Sequence, residues 1–268
     1  MRLKIRFRAN GSNLFPLNYN YPLSGAIYKM LKFGSPEFAE FLHERGFSVD
    51  GKFYKLFSFG LEFDKARFER TEIKLLSPNV NLTVSSTMVD YFIQNFVMGA
   101  FQRQTIEIYS NGILSQLDVE MMESLKEPEF TENMKFKMIS PVVLSTKREQ
   151  NGKLGQYFFR YYDDINEINR VFNQNLINKY KLVNKIDYSG KPLMFRWDTD
   201  YIKRQTDNGK KITRLVTVNK PNEQPVNFVG NVCPFFVSGS PELIKTGYDC
   251  GFGEKNSMGF GLCEAITN

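Results

Sequence analysis

The sequence is poor in the residue types that most often hold metals or form covalent crosslinks. It contains a single histidine, His43, and three cysteines, Cys233, Cys250 and Cys263, which form no CxxC pair. Zinc enzymes that need several imidazoles are excluded by ligand number. The odd cysteine count argues against a disulfide framework and a structural zinc site. We predict reduced, structural thiols and neither a metal nor another cofactor.

Long hydrophobic runs are also lacking. No stretch approaches 18 uncharged apolar residues, which excludes a membrane-spanning helix. The N-terminus, Met1 to Arg8, alternates basic with apolar residues and has no apolar signal-peptide core. We therefore expect a cytoplasmic protein with no membrane partner. Because 42% of the 268 residues are hydrophobic and 24% charged, ordinary globular usage, collagen, coiled coil and wholesale disorder are also excluded.

Basic residues are in excess. The sequence has 35 Lys and Arg against 29 Asp and Glu, a formal net charge of +6. This balance suits a polyanionic partner without demanding one. An acidic group at Asp163, Asp164 and Glu167 fits the start of a helix better than a two-metal site.

Apolar spacing predicts an alternating strand and helix order in the first half of the chain. Residues 2–9 have the period of a half-buried strand with a positive outer face. The further predicted elements are helices over 22–34 and 35–46, strands over 53–59 and 72–76, the latter continued by 81–86, a helix over 88–101 and a strand over 105–109. This is the order of a split ferredoxin-like unit, whose helices cover one sheet face and leave the other free. We assign it to residues 1–130.

The second half, residues 131–268, is predicted to repeat this architecture with insertions after a linker at 127–129. The predicted elements are a strand start over 134–144, a helix over 163–182, a hairpin of 193–204 with 211–218, a strand over 226–237, a helix over 240–247 and a strand over 258–266. The predicted fold class is therefore α+β, with two tandem ferredoxin-like (RRM-like) domains.

The most specific motif is a glycine-rich loop near the C-terminus. Four glycines fall within residues 251–261, and Phe252 and Phe260 each stand between two of them. A Walker A loop needs GK[ST] opening a helix, and a dinucleotide fingerprint needs about 20 further residues. Only Leu262–Asn268 remain, so neither fits. Such a loop lets backbone amides approach a phosphate closely, although a tight hairpin with bulges has the same glycine content.

This loop resembles the signature of the CRISPR-associated endoribonucleases that cut repeat transcripts into guide RNAs, members of the repeat-associated mysterious protein superfamily. Their pattern is Gly-aromatic-Gly, five residues, then Gly-aromatic-Gly, and residues 251–261 match it throughout. The basic strand at 2–8, Tyr21-Pro22-Leu23 leading into Ile27-Tyr28, Leu42-His43-Glu44 and Lys55 to Phe59 stand in the family's order. The likeness spans nearly the whole chain.

The resemblance implies tandem ferredoxin-like domains and a metal-independent cut. In that reaction the ribose 2'-hydroxyl attacks the adjacent phosphate and leaves a 2',3'-cyclic phosphate and a 5'-hydroxyl. Family members commonly use a tyrosine, a histidine and a lysine, which match Tyr28, His43 and either Lys55 or Lys52. An imidazole can move protons near neutral pH, while a phenol and an ammonium can stabilise the charged phosphorane. Each residue also has an alternative explanation. Tyr28 can be half-buried packing, His43 can complement a helix C-terminus, and Lys52 or Lys55 can be a solvated charge at a sheet edge.

Contacts to RNA need phosphate donors and stacking surfaces. The candidate RNA-binding residues are Arg2, Lys4, Arg6, Arg8, Gly251, Gly253, Lys255, Asn256, Ser257, Gly259 and Gly261. The basic residues of the predicted hairpin, Lys203, Arg204, Lys210, Lys211 and Arg214, are a further set, which a solvated charged ribbon explains somewhat better.

The leading hypothesis is an endoribonuclease that binds CRISPR repeat RNA between its two domains and cleaves it. Its partners would be that RNA and, as a further candidate, other CRISPR effector subunits. One alternative is a non-catalytic RNA-binding subunit of the same superfamily in a CRISPR effector complex. The other is a small-molecule-binding ferredoxin-like module whose positive charge is incidental.

Overall fold

The first half of the chain folds around one central antiparallel sheet. The computed structural model describes residues 1–150, 152–220 and 223–266. The strands of the first half are β1 (Arg2–Asn10), β2 (Leu14–Pro16), β3 (Phe47–Val49), β4 (Lys52–Tyr54), β5 (Phe57–Phe63), β6 (Ala66–Phe68), β7 (Glu72–Leu75), β8 (Asn79–Ser86), β9 (Thr105–Ser110) and β10 (Ile113–Leu125). The helices are α1 (Asn20–Gly34), α2 (Pro36–Glu44) and α3 (Gln94–Arg103), which a π-helical turn at Val89–Ile93 precedes.

The central sheet has the strand order β5-β8-β1-β10-β9. Its first four positions reproduce the ferredoxin-like arrangement, with β10 in the place of the fourth strand beside β1. Two predictions for this half are corrected. The strand at 72–76 lies in a small separate sheet, β2-β7-β6, and β8 takes its place in the central sheet. The strand at 105–109 is β9, which lies at the edge because β10 folds back and pairs with β1.

The helix boundaries of this half follow local capping signals. The Ser35 hydroxyl accepts a hydrogen bond from the Phe38 backbone N–H at 3.3 Å, and Pro36 occupies the first helical position of α2. Helix α1 ends at Gly34, as predicted. His43 therefore lies in the last turn of α2, and Tyr28 lies in the middle of α1.

The second half contains a second sheet with two inserted hairpins and an inserted helix. Its strands are β11 (Asn133–Met138), β12 (Ser145–Gln150), β13 (Lys153–Phe158), β14 (Met194–Trp197), β15 (Thr213–Val218), β16 (Val226–Asn231), β17 (Phe235–Ser238) and β18 (Cys263–Ile266). Its helices are α4 (Ile165–Asn184), α5 (Thr199–Asp207) and α6 (Pro241–Cys250), and a 3₁₀ turn lies at Asn256–Met258.

The main sheet of this half has the order β14-β17-β11-β18, and α4 and α6 are its crossover helices. This is the ferredoxin-like order again, so the predicted tandem fold is confirmed. The predicted hairpin of 193–204 with 211–218 is wrong. Asp198 accepts a hydrogen bond from the Tyr201 backbone N–H at 2.9 Å and starts helix α5, and β15 pairs with β16 instead. The predicted strand at 258–266 is shorter and begins at Cys263.

The two halves have separate hydrophobic cores. One core contains buried residues between Leu3 and Leu117, and the other contains buried residues between Phe136 and Cys263. We propose that residues 126–132, between β10 and β11, divide the chain into its two domains. Within the described ranges, no helix has the length and apolarity that crossing a membrane requires.

The second domain covers part of the second face of the first sheet, at β5, β8 and the start of β1, which corrects the prediction that this face is free. Arg6 and Arg8 further along β1 remain exposed. Helix α6 packs on β5 and β8, and the polar side chains at this junction are small and buried, among them Ser58 and Ser85. The Ser85 hydroxyl donates to the Asp249 carbonyl at 2.8 Å. The end of helix α6 presents backbone carbonyl groups to the sheet. These carbonyls need hydrogen-bond donors from the sheet and would not be satisfied by apolar side chains.

Arg2 corrects the prediction of a basic outer face on β1. Its side chain is buried, with 3% exposure, and cannot contact RNA. The guanidinium donates to the Cys263 carbonyl at 2.6 Å and to the Tyr248 carbonyl, and it lies 3.2 Å from the centre of the Tyr248 ring. Burial lowers the pKa of Arg2, and the surrounding groups on α6 and β18 act in the opposite direction. Arg2 therefore joins the two domains.

Replacing Arg2 should loosen this junction. Arg2→Met leaves two buried carbonyl oxygens without their donors, so we expect the free energy of unfolding to fall by roughly 2–4 kcal/mol. Arg6→Met is the matched control, because Arg6 is exposed on the same strand and its loss should change stability by about 0.5 kcal/mol or less. Urea unfolding of both variants measures the difference. Equal destabilisation would contradict a joining role for Arg2.

Candidate functional site

The glycine-rich loop, residues 251–261, is a tightly packed part of the second domain. All four of its glycines have positive φ, between 72° and 87°. A Cβ on Gly253 would collide with the Val143 carbonyl, and one on Gly261 would collide with the Phe252 carbonyl. Glycine is required here by close backbone approach within the protein itself.

A buried lysine on α4 holds this loop. Lys179 is 2% exposed, and its ammonium donates to three acceptors at 2.7 Å each: the carbonyls of Gly251 and Gly253 and the side-chain oxygen of Asn256. Burial lowers the pKa of Lys179 to about 7, while Cys250 and Glu254 act in the opposite direction. The three oxygen acceptors give the buried nitrogen its full set of hydrogen bonds.

Asn256 holds the loop from the inside. Its side-chain nitrogen donates to the Phe252 carbonyl at 3.3 Å and to the Phe260 carbonyl at 3.0 Å. The four glycines are buried, so the structure does not place these four predicted RNA-binding residues where RNA could touch them. Asn256 lines the groove between the domains, but its buried side chain is bonded to Lys179, Phe252 and Phe260. Several backbone amides that were predicted to cradle phosphate are bonded internally, including those of Gly261 and Glu254. Of the predicted loop contacts, Lys255 is exposed and Ser257 partly exposed.

The same loop is docked on helix α1 of the first domain. The Asn20 side chain donates to the carbonyls of Met258 and Gly259 at 3.0 and 3.1 Å, and the Ser24 hydroxyl donates to the Ser257 carbonyl at 2.7 Å. Asn20 and Ser24 lie one turn apart on the same helix that carries Tyr28. Sequence reasoning missed Asn20, Ser24 and Lys179, because each is an ordinary polar residue at a helical position.

The structure brings Tyr28 and His43 together. Their ring centres lie 5.1 Å apart in an edge-to-face arrangement, and Tyr28 also packs edge-on against Phe57 at 5.8 Å. Burial raises the pKa of the Tyr28 hydroxyl well above its ordinary value, and the Ser257 side chain beside it acts in the opposite direction. Tyr28 is therefore a neutral hydrogen-bond donor at neutral pH, and the exposed His43 ring is accessible from solvent.

Of the two candidate lysines, Lys55 reaches His43. Its ammonium donates to the His43 carbonyl at 2.9 Å, and partial burial lowers the pKa of Lys55. Lys55 lies between β4 and β5, next to Leu56, whose φ of 53° turns the chain between the two strands. Lys52 is exposed at the start of β4. Tyr28, His43 and Lys55 thus form one cluster, which Ser257 of the second domain joins.

A groove of about 840 Å³ lies between the two domains. Lys55 and Ser257 of this cluster line it, whereas Tyr28 and His43 are not among its lining residues. The segment Lys52–Leu56 contributes one wall, and the β12–β13 hairpin, helix α4 and the glycine-rich loop contribute the others. Its basic lining residues are Lys52, Lys55, Lys147, Arg170, Lys179 and Lys255, against the single acidic residue Glu254. Glu254 accepts a hydrogen bond from the Ser145 hydroxyl at 2.7 Å. A strongly basic groove of this kind attracts a polyanionic chain.

The remaining predicted RNA contacts lie on β1, outside the lining of this groove. Arg6 and Arg8 are exposed and Lys4 is half-buried. The Arg8 guanidinium lies 3.7 Å from the Glu120 carboxylate. These three residues stay candidates for contacts to RNA outside the groove.

Acidic, histidine and cysteine side chains are scattered in the part of the chain that the structure describes. Nowhere in residues 1–150, 152–220 and 223–266 do three or more His, Cys, Asp or Glu side chains cluster. The three cysteines are free and buried, and burial raises the pKa of Cys250 to about 11 and that of Cys233 to about 12. The Asp164 carboxylate accepts from the Asn166 backbone N–H at 2.9 Å and caps α4, as predicted.

Removing the lysine that holds the loop should destabilise the protein. Lys179→Met leaves three buried oxygens without a donor, so we expect a loss of about 3 kcal/mol or more in the free energy of unfolding. Lys181→Met is the control on the same helix, where the exposed ion pair with Asp187 is screened by solvent and should contribute little to stability. Thermal and urea unfolding compare the two. A Lys179→Met variant as stable as Lys181→Met would show that the loop does not depend on this ammonium.

Comparison with known proteins agrees with this architecture over the whole chain. The Methanocaldococcus jannaschii protein named CRISPR-associated endoribonuclease Cas6 1 is 28% identical, over 98% of this chain and 91% of its own length. The Pyrococcus furiosus CRISPR-associated endoribonuclease Cas6 is 25% identical, over 94% and 84%. A solved structure of a Cas6-related gene product from P. furiosus has a TM-score of 0.82 at 22% identity, covering 100% of this chain and 99% of that one.

A second solved structure, of a CRISPR associated protein Cas6, has a TM-score of 0.74 at 26% identity and covers 100% of this chain and 99% of that chain. Two family models match in tandem. The model described as CRISPR-associated protein Cas6, N-terminal, matches residues 14–118, and that described as CRISPR associated protein Cas6, C-terminal, matches residues 125–265. The second match alone covers more than half of the sequence and includes the glycine-rich loop. The resemblance seen in the sequence is thus confirmed, and the chain belongs to the CRISPR-associated Cas6 family.

Proposed function

We propose that this protein is an endoribonuclease that binds CRISPR repeat RNA in the basic groove and cleaves it without a metal ion, leaving a 2',3'-cyclic phosphate and a 5'-hydroxyl. The observation that carries the proposal is a set of contacts next to the groove. The Tyr28 ring packs against the His43 ring, and Lys55, which lines the groove, donates to the His43 backbone carbonyl. These residues come from two helices and a strand connection, so their sequence spacing alone does not bring them together.

The names of the relatives support the same activity. Two proteins that match over most of this chain are named CRISPR-associated endoribonucleases. The groove supplies what such a substrate needs, because its lining carries five basic residues besides the buried Lys179, against one acidic residue. Phosphate contacts provide most of the affinity of a protein for RNA, and an exposed aromatic ring such as Phe53, which also lines the groove, offers a stacking surface for a base.

The proposed reaction needs one group that moves protons. The His43 imidazole takes the proton of the ribose 2'-hydroxyl as its oxygen attacks the adjacent phosphorus. The bond between phosphorus and the 5'-oxygen then breaks, and the imidazolium returns a proton to that oxygen. His43 suits this role because histidine is the residue that most often transfers protons in catalysis and this ring is exposed.

Tyr28 and Lys55 serve a different purpose. The raised pKa keeps the Tyr28 phenol protonated, so it donates a hydrogen bond and does not act as a base. The Lys55 nitrogen, held at the His43 carbonyl, is the second donor in this proposal. Donors fixed before the reaction stabilise the negative charge that develops on the phosphorane oxygens. Ser257 contributes a contact to this cluster from the second domain.

A cleavage assay with end-group analysis tests this reaction directly. We expect the wild-type protein to cut repeat RNA in EDTA, and His43→Ala to cut about 10²-fold more slowly with nearly unchanged affinity, the usual cost of losing a general acid or base. A repeat with a 2'-deoxyribose before the scissile phosphate should bind but stay intact, because the nucleophile is missing.

Each part of this proposal can fail separately. Loss of cleavage in EDTA, or a product with a 3'-hydroxyl end, would contradict the metal-independent reaction. Unchanged cleavage by His43→Ala would remove the imidazole from the mechanism. RNA that is bound tightly and never cut by the wild-type protein would favour the alternative of a non-catalytic RNA-binding subunit.

The two candidate lysines make a matched pair. We expect Lys55→Ala to lower the single-turnover cleavage rate by about 10-fold or more at saturating RNA, because it removes a donor at the reacting phosphate. Lys52→Ala should mainly weaken binding. It should also lower the salt dependence of the RNA affinity by the amount expected for the loss of about one phosphate contact. Single-turnover rates and salt titrations separate the two effects. The reverse assignment, with the rate loss in Lys52→Ala alone, would contradict the geometry of Lys55.

A further inference from the structure

We propose that the open face of the second sheet is a second RNA-binding surface, which takes a single-stranded segment that flanks the repeat held in the groove. This inference rests on the proposed function. It concerns a surface that no part of the cleavage site uses. The surface consists of Lys135, Arg196 and Phe236 on the sheet and Lys203 and Arg204 on α5.

The strand order places three of these residues in one row across the sheet. Phe236 lies on β17 and is the register partner of Arg196 on β14 and of Lys135 on β11. Their sequence neighbours Phe136, Phe195 and Phe235 are buried in the core beneath helices α4 and α6. Because side chains alternate along a strand, the row Arg196, Phe236, Lys135 lies on the opposite face.

The aromatic ring holds both cations in position. The Arg196 guanidinium carbon lies 3.9 Å from the centre of the Phe236 ring, and the Lys135 ammonium lies 4.9 Å from it. Lys135 also forms an ion pair with Asp198 at 2.6 Å. Arg196 is exposed on the sheet, so its planar guanidinium is preorganised for a phosphate or a base.

Helix α5 closes one side of this surface. A depression of about 490 Å³ is lined by the row and by the first turns of α5, including Lys203 and Arg204. Four basic side chains line it against two acidic ones, Asp198 and Asp200. Asp198 is already engaged by Lys135 and by the start of α5, so positive charge predominates on the accessible part.

The chemistry of this surface fits single-stranded RNA. An aromatic residue on a central strand, flanked by basic residues on the open face of a four-stranded sheet, is how RRM modules hold unpaired nucleotides. The surface lies on the far side of the sheet from helix α4, which lines the groove. One RNA can therefore contact both surfaces only if it extends beyond the segment bound in the groove.

The test compares two RNAs and two variants with equal charge loss. The RNAs are the repeat alone and the repeat with single-stranded extensions at both ends. The test variant is Arg196→Gln, Lys203→Gln, Arg204→Gln. The control is Lys65→Gln, Arg67→Gln, Arg70→Gln, which removes three exposed basic residues from the region around β6 in the first domain.

We expect the wild-type protein and the control to bind the extended RNA more tightly than the repeat alone. The test variant should lose that gain, so its affinity for the extended RNA should fall by about 10-fold. The slope of log affinity against log salt concentration should fall in magnitude by about 2, because each lost single-strand phosphate contact lowers it by about 0.7. Its cleavage rate at saturating repeat should equal that of the wild type, because the cleavage site is untouched.

The failure of this proposal differs from failure of the proposed function. If the wild-type protein cleaves the repeat but gains nothing from the extensions, the second surface does not bind RNA. The same conclusion follows if test and control variants bind the extended RNA equally. If the wild-type protein neither binds nor cleaves the repeat, the proposed function itself fails, and this inference with it.

Discussion

The buried ammonium of Lys179 is the contact on which the rest of the site depends. It is the point where helix α4 of the second domain meets the glycine-rich loop, and it takes three oxygen acceptors out of solvent. A loop with five residues at positive φ, the four glycines and Lys255, has little regular backbone pairing of its own, so it needs side chains to satisfy its carbonyls. Lys179 and Asn256 do this from within, and the loop can then present its outer side to the first domain.

The same loop makes the site a property of both domains. Asn20 and Ser24 bind its backbone from α1, and the next turn of that helix carries Tyr28. Arg2 and Ser85 join the first sheet to the end of α6, immediately before the loop begins. The glycines therefore act as structural residues that allow close packing, while Lys255 and Ser257 carry the polar groups that face the groove. An arrangement fixed by packing keeps its donors in place before substrate arrives, which is the condition for electrostatic stabilisation of a transition state.

Local signals in the sequence predicted much of this arrangement. The cap at Ser35 and Pro36 and the stop at Gly34 located the helices of Tyr28 and His43, and the family signature located the loop. The rest depends on what each surface packs against. The alternation along β1 predicts two faces but not that the second domain covers Arg2. Lys179 stands among Asn175 and Asn178 on α4, a polar stretch typical of an exposed helix face, yet all three are buried. Lys179 is bonded to the loop, and Asn178 is bonded to Tyr54 of the first domain. Asp198 was read as part of a strand, although its side chain starts helix α5.

The most direct test of this account is a structure of the protein bound to a repeat RNA that carries a 2'-deoxyribose before the scissile phosphate. We expect oxygen atoms at the scissile phosphate to lie about 3 Å from a ring nitrogen of His43 and from the hydroxyl of Tyr28. We also expect the adjoining backbone to lie in the groove, in contact with Lys255 and Ser257 of the second domain. An RNA that runs over another surface, with the His43 ring facing solvent, would contradict this account.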